Sequence, residues 1–135
     1  MAFVLDCSVT LAWLLPDEDA AAVDALADEL ARSTAVVPAT WPYEVVNALQ
    51  VAQRRARIDD DDLIHVWRAL EALPIEIEAV AKDHVFSAVA LGRRLGITSY
   101  DAAYIELAGR RKIPLATLDA RLRKACASLK IEVLP

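Results

Sequence analysis

A chain of 135 residues is of one-domain size, and 56% of it is hydrophobic, which excludes disorder and leaves apolar side chains to spare for contact with a second chain. The net charge of −5 runs against the positive footprint of a nucleic-acid binder, yet it is unevenly spread: Met1 to Trp67 holds 12 acids and 4 bases, and Arg68 to Pro135 holds 8 acids and 11 bases. Cys7 and Cys126 lie outside any Cys-x-x-Cys pair, no uncharged apolar run approaches the roughly 18 residues of a membrane span, and the first residues lack a basic signal-peptide start, so a reduced, cytosolic, non-membrane protein is expected.

Ala2 to Leu5 reads as a buried strand, followed by a helix over Val9 to Leu15 with Ser8 as its N-cap and Pro16 closing it. Asp17-Glu18-Asp19 opens a second helix, whose apolar positions Ala22, Val23, Leu26, Ala27 and Leu30 share one face down to Arg32. Ala35 to Pro38 suits a second strand. Pro42 stands where a helix can begin, and Glu44 to Arg57 continues it without a breaker. Asp59 to Asp62 starts the next helix, which runs to Pro74. Four successive helical residues point in different directions, so these acids read as caps and dipole partners rather than as a metal site. Ile75-Glu76-Ile77 alternates like a short edge strand. A helix from about Val80 ends between Gly92 and Gly96, and another runs from Ser99 through Gly109, with Thr98-Ser99 able to cap it. Pro114 to Leu118 and Ile131 to Leu134 are the last strands, joined by a helix over Asp119 to Leu129. Strands alternating with helices imply an α/β fold with a mostly parallel sheet covered on both faces.

Four acids occupy comparable places in this pattern. Asp6 ends the first strand, Glu44 opens the helix after the second, Asp101 lies in the first turn of the Ser99 helix, and Asp119 follows Pro114 to Leu118. Parallel strands would carry these acids to the carboxyl edge of the sheet, where open α/β folds place their ligands. Clustered carboxylates without a cysteine or histidine cage describe a site for Mg²⁺ or Mn²⁺. Such an ion can neutralise a phosphate and activate water for phosphodiester hydrolysis. The alternative ribonuclease chemistry, through the RNA 2′-hydroxyl, usually relies on histidine; His65 and His84 fall in helices far from the acids in sequence. Hydrolysis leaving 5′-phosphate and 3′-hydroxyl ends is therefore expected. Asn47 follows Glu44 by one helical turn and could orient it, or could simply be satisfied by nearby backbone. Arg93-Arg94, Arg110-Arg111-Lys112 and Arg121 with Arg123-Lys124 are either helix-end charges or an RNA track, with Arg93, Arg110 and Arg123 as the residues to test.

Phe3-Val4-Leu5-Asp6-Cys7-Ser8, Glu44-Val45-Val46-Asn47-Ala48-Leu49, Thr98-Ser99-Tyr100-Asp101-Ala102-Ala103-Tyr104 and Ala116-Thr117-Leu118-Asp119 resemble the four signature segments of PIN-domain ribonucleases, most closely the VapC-type toxins of bacterial toxin–antitoxin pairs. Only Cys7 departs, where Thr or Ala is more usual. The resemblance covers nearly the whole chain and implies a single PIN-like ribonuclease domain over residues 1–135, with a parallel sheet of four or five strands sandwiched between helices. It implies Mg²⁺- or Mn²⁺-dependent endonucleolytic cleavage of RNA, with Asp6, Asp101 and Asp119 holding the metal, Glu44 completing the site, and Ser8 and Thr117 lining it. It also implies a homodimer and a cognate antitoxin. An acidic pocket without metal would attract an antitoxin Arg or Lys, and apolar grooves beside Trp13, Trp41 or the Asp17 to Arg32 helix could take the rest of the segment.

Two other classes compete. Receiver and phosphatase domains also gather acids and Mg²⁺ at strand ends, but the phosphatase pattern wants a second Asp at position 8, where Ser stands, and the adjacent acids and later Lys of a receiver are absent. A PIN-like module that binds RNA or protein without cleaving it is the other; the presence of all four acids argues for an active site.

Overall fold

The computed structural model describes residues 1–15, 21 and 23–135. The helix expected to open at Asp17-Glu18-Asp19 therefore lies in part outside the described residues, as do Pro16 and Ala22. Five strands form one sheet: β1 (Ala2–Leu5), β2 (Thr34–Val37), β3 (Ile75–Ile77), β4 (Leu115–Ala116) and β5 (Val133–Leu134). Their order is β3-β2-β1-β4-β5 and every pairing is parallel, with Phe3 opposite Ala35 and Leu5 opposite Ala116. Central strands of a parallel sheet are covered on both faces and need unbroken apolar runs. Phe3, Val4, Leu5, Ala35, Val36 and Val37 are buried accordingly.

Seven helices are described: α1 (Cys7–Leu14), α2 (Asp24–Glu29), α3 (Trp41–Arg54), α4 (Asp60–Ala72), α5 (Lys82–Leu95), α6 (Ser99–Arg111) and α7 (Ala120–Ser128). Helix α6 is the most deeply set, with Ala102, Tyr104, Ile105, Leu107 and Ala108 buried, in keeping with its Ala-rich and nearly all-round apolar sequence. Among the described residues no helix is long and apolar enough to cross a membrane.

Several boundaries differ from the sequence reading. Helix α1 begins at Cys7 with Asp6 in the N-cap position, so Ser8 is not the cap; its hydroxyl is committed to the site below. Helix α3 begins at Trp41, with Pro42 in its first turn, and ends at Arg54, where Ala56 turns left-handed (φ 57°). Helix α5 passes through Gly92 and stops at Gly96, whose left-handed φ of 70° favours glycine. Gly92 serves close approach instead: a Cβ there would stand 2.9 Å from the Ile97 carbonyl oxygen and 3.2 Å from that of Thr98, so the missing side chain lets the start of α6 press against α5. Helix α6 runs past Gly109 to Arg111. Strand β4 is shorter than Pro114 to Leu118; the Thr117 amide still donates to the Leu134 carbonyl of β5 at 3.0 Å, while its hydroxyl turns to the site.

Other expectations hold. Asp59 caps α4 through a reciprocal capping box with Asp62, as the acid run suggested. Strand β3 lies at the sheet edge, and its margin is covered by ion pairs from Arg110 and Arg111 to Glu76 and Glu78.

Candidate active site

Strand order reverses between β1 and β4, where one branch of the sheet grows through β2 and β3 and the other through β5. Chains leaving the carboxyl ends of β1 and β4 diverge there and open a crevice, the usual ligand site of such sheets. Asp6 leaves β1 into it, Asp119 stands three residues beyond β4, and Glu44 comes from the first turn of α3, the helix after β2. Asp101 sits in the first turn of α6, where Thr98 caps the helix by accepting from the Asp101 amide at 3.1 Å.

Asp6 is almost fully buried, and neutral donors hold it. Its Oδ2 accepts from the Thr117 hydroxyl at 2.6 Å and from the Ser8 hydroxyl at 2.8 Å. Those hydroxyls are themselves oriented by backbone, since Ser8 Oγ accepts from the Leu118 amide and Thr117 Oγ1 from the Asp119 amide. Burial raises the Asp6 pKa, against which the Thr117 and Ser8 hydrogen bonds work, and the charge of Asp101 adds to the rise. Glu44 is raised in the same way, by burial first; hydrogen bonds from Tyr104 and Thr40 oppose it, and the charges of Asp6 and Asp101 reinforce it. Asp6, Glu44 and Asp101 thus influence one another electrostatically.

Asp119 differs. It caps α7 with Oδ1, accepting from the Arg121 and Leu122 amides at 2.8 and 3.4 Å. Burial pulls its pKa upward, but the amide and guanidinium of Arg121 outweigh that and hold it below the ordinary range. It joins the other acids by two routes: through Thr117, which touches both Asp119 and Asp6, and through Arg121, which lies 3.4 Å from Asp119 and 3.6 Å from Asp101.

Of the supporting residues, Ser8 and Thr117 both bond Asp6, the pocket-lining place the resemblance implied for them. Asn47 is exposed, and no hydrogen bond joins it to Glu44; Tyr104 Oη at 3.0 Å and Thr40 Oγ1 at 3.3 Å take that place. Tyr104 is wholly buried, with its pKa driven up by burial and by Glu44 and Asp6, so it is a fixed neutral donor. Spacing could have found it: Tyr104 follows Asp101 by three residues and shares its helix face. Nothing in the sequence marks Thr40 out, and Arg121 stands out only as one of a basic cluster with Arg123 and Lys124, not as a partner of the acids.

Arg110 is bound to Glu78 at 2.9 and 2.6 Å and to Glu106 at 2.8 Å, and Arg123 donates to the carbonyls of Thr117 and Pro135. Both are therefore structural clamps in this state, one at the sheet edge and one across the end of β4, while Arg93 is exposed on the last turn of α5. The histidines lie on α4 and α5. Cys7 is neutral, its thiol pushed up to about 12 by burial and by the nearby Asp6 and Glu44 charges, and both cysteines are free. Trp41 belongs to the core, donating to Thr10, whereas Trp13 lines a groove of about 560 Å³ with Leu14, Leu30 and Leu73.

The donors fit a hard divalent cation in kind, being carboxylates and hydroxyls without imidazole or thiolate. Among the described residues, no group of three or more His, Cys, Asp or Glu side chains stands ready-made around an ion position. Instead, a guanidinium spans two of the acids.

An acidic crevice at the switch point of a short parallel sheet defines the class of α/β protein to which the chain belongs. A family model, the PIN domain, matches residues 3–127, and the chain is a member of the PIN-domain family. It is 31% identical over 134 residues to "Ribonuclease VapC3" of Pyrobaculum aerophilum, a match that covers 96% of this chain and 98% of that protein. The fold is shared with two crystal structures. PAE2754 from Pyrobaculum aerophilum has a TM-score of 0.70 at 20% identity, over 98% of this chain and 83% of the other. VapBC2 from Rickettsia felis, bound to a DNA fragment from its promoter, has a TM-score of 0.71 at 11% identity, over 98% and 97%.

Proposed function

We propose that this chain is the toxin of a toxin–antitoxin pair, a cytosolic endoribonuclease that hydrolyses RNA phosphodiester bonds with Mg²⁺ or Mn²⁺. The observation that carries the reading is the mutual influence of Asp6, Glu44 and Asp101, the first two raised by burial and by neighbouring acid charge, with Asp119 tied to them through Thr117 and Arg121. The kinship to a VapC ribonuclease supports it.

Asp6, Asp101 and Asp119 are the residues that would hold the cation, and a cation there supplies charge neutralisation at the scissile phosphate and acidifies water. The chain's own part is orientation and proton handling. Thr117 and Ser8 fix Asp6 with neutral donors, which leave its negative charge intact for a cation. Glu44, held by Tyr104 and raised in pKa, can take the proton of a water aligned for attack. With Arg110 and Arg123 engaged in clamps, Arg121 and Lys124, which line a groove of about 360 Å³ beside Gly96 and Ile97, are the better-placed cations for the RNA strand. The Trp13 groove, and a second one lined by Val46, Ile64 and Trp67, offer apolar seats for an antitoxin segment. The exposed Val85, Phe86 and Val89 of α5 supply apolar surface for a homodimer.

Cleavage of end-labelled small RNA by the antitoxin-free protein tests the reading. Discrete cuts with 5′-phosphate ends are expected in Mg²⁺ or Mn²⁺, none in EDTA, and a loss of more than about 100-fold in Asp101→Asn. A 2′,3′-cyclic phosphate at the cut, or cutting indifferent to EDTA and to Asp101, overturns it.

A further inference from the structure

Arg121 behaves unlike the other arginines around the site. Its Nη2 lies 3.6 Å from Asp101 Oδ2 and 3.4 Å from Asp119 Oδ2, so one side chain spans acids from two different elements. Asp119 uses Oδ1 to cap α7 and keeps Oδ2 for the guanidinium, so the bridge is separate from the bonds that fix the backbone. Arg110 makes bidentate contacts to Glu78 at 2.6 and 2.9 Å, and Arg123 is locked on backbone carbonyls; Arg121 makes neither kind of contact. Both its distances exceed those of a firm charge-assisted hydrogen bond. Its side chain is 69% exposed against 23% and 29% for its two acids. An exposed cation thus stands over a less exposed pair of carboxylates.

We infer that Arg121 is a built-in counter-ion of the Asp101–Asp119 pair, which occupies those oxygens until a divalent cation displaces it. The inference rests on the metal-dependent reading above. A divalent ion held by Asp101 and Asp119 would compete with the guanidinium for these two carboxylates, so the exchange would set how tightly they take metal. It also explains why acids that suit a cation chemically are not drawn up around an ion position: two of them are turned to an arginine instead.

Mn²⁺ titration of the full chain, by calorimetry and by the electron paramagnetic resonance signal of free Mn²⁺, tests the exchange without recourse to activity. Arg121→Gln and Lys124→Gln each remove one positive charge from α7, but only Arg121 touches the acids, and Lys124 is exposed one turn further on. Arg121→Gln is expected to bind Mn²⁺ about three- to tenfold more tightly than the wild type, the worth of two exposed ion pairs. Lys124→Gln is expected to stay within about twofold of the wild type, as befits a solvent-screened charge. If Arg121→Gln is unchanged or weaker, or if Lys124→Gln gains as much, the counter-ion role is wrong while the metal site stands. If the wild type takes up no Mn²⁺, or takes it up equally in Asp101→Asn, the metal reading and this inference fall together.

Discussion

Thr117→Val removes one hydroxyl from the centre of the site and keeps the branched shape. Thr117 is wholly buried, donates to Asp6 Oδ2 at 2.6 Å and accepts from the Asp119 amide at 3.1 Å. A hydrogen bond to a charged group contributes about 1.5–3 kcal/mol, and the Asp119 amide loses its acceptor as well, so a destabilisation of about 2–3 kcal/mol is expected at neutral pH. For a chain of this length that lowers Tm by about 6–12 °C. Ser8→Ala should cost less, about 1 kcal/mol, because Ser8 is only half-buried and water can replace it. Urea unfolding followed by circular dichroism at pH 7, in EDTA, measures both. The deficit of Thr117→Val should also shrink towards acid pH, where a protonated Asp6 demands less of its donors. A Thr117→Val midpoint within about 0.5 kcal/mol of the wild type, with an unchanged m-value, would refute the idea that this hydroxyl carries the buried charge.

Tyr104→Phe takes from Glu44 a donor that favours its ionised form, so the Glu44 pKa should rise further and the acidic limb of the pH–rate profile should move to higher pH; a profile that falls in height without moving would show that Tyr104 only packs. Metal-free stability should carry the opposite signature of the raised acids. Between the ordinary carboxylate pKa and the raised value, the native state binds more protons at Asp6 and Glu44 than the unfolded chain does. Their contribution is therefore fully present below the ordinary pKa and is lost as pH rises through the raised one. Asp119 and Glu78, whose pKa values are depressed, contribute with the reverse sign, so the test compares Asp6→Asn with the wild type. In EDTA the variant should melt higher at pH 7 and lose that advantage below the ordinary carboxylate range, as read by calorimetry.

The parts of the molecule legible in the sequence were those set by local chemistry. Four of the five strands are apolar runs bounded by Pro, Thr or acid, and Ile75-Glu76-Ile77 betrays its edge position by alternation. The acids were legible because each follows a strand or opens a helix, and parallel pairing then forces them to one edge. Side-chain partnership was not legible, because it is decided by which elements lie opposite. Asn47 has the right helical spacing to reach Glu44 but turns to solvent, while Thr40, on the approach to α3, and Tyr104, on α6, supply the hydrogen bonds. Ser8 has the chemistry of a helix cap, yet Thr117 and Leu118, more than a hundred residues on, recruit it for the site. Arg110 reads as one more charge at a helix end until β3 brings Glu78 beside it.

The way each acid is compensated follows how much water reaches it. A buried charge needs donors, and a buried cation would cancel the field on which the pocket depends. Asp6 and Glu44, the two raised by burial, are held by the hydroxyls of Ser8, Thr117, Thr40 and Tyr104, which stabilise a negative charge without neutralising it. Asp119 is held by the amides of a helix N-terminus, again dipoles without net charge. Only at the wetter rim, between Asp101 and Asp119, does a full positive charge enter, on a side chain with nothing else to hold it. Neutral donors inside and a removable cation outside keep the pocket's negative potential available. On the proposed metal-dependent reading, a divalent ion arriving from solvent would have to displace one exposed guanidinium rather than dismantle a buried salt bridge.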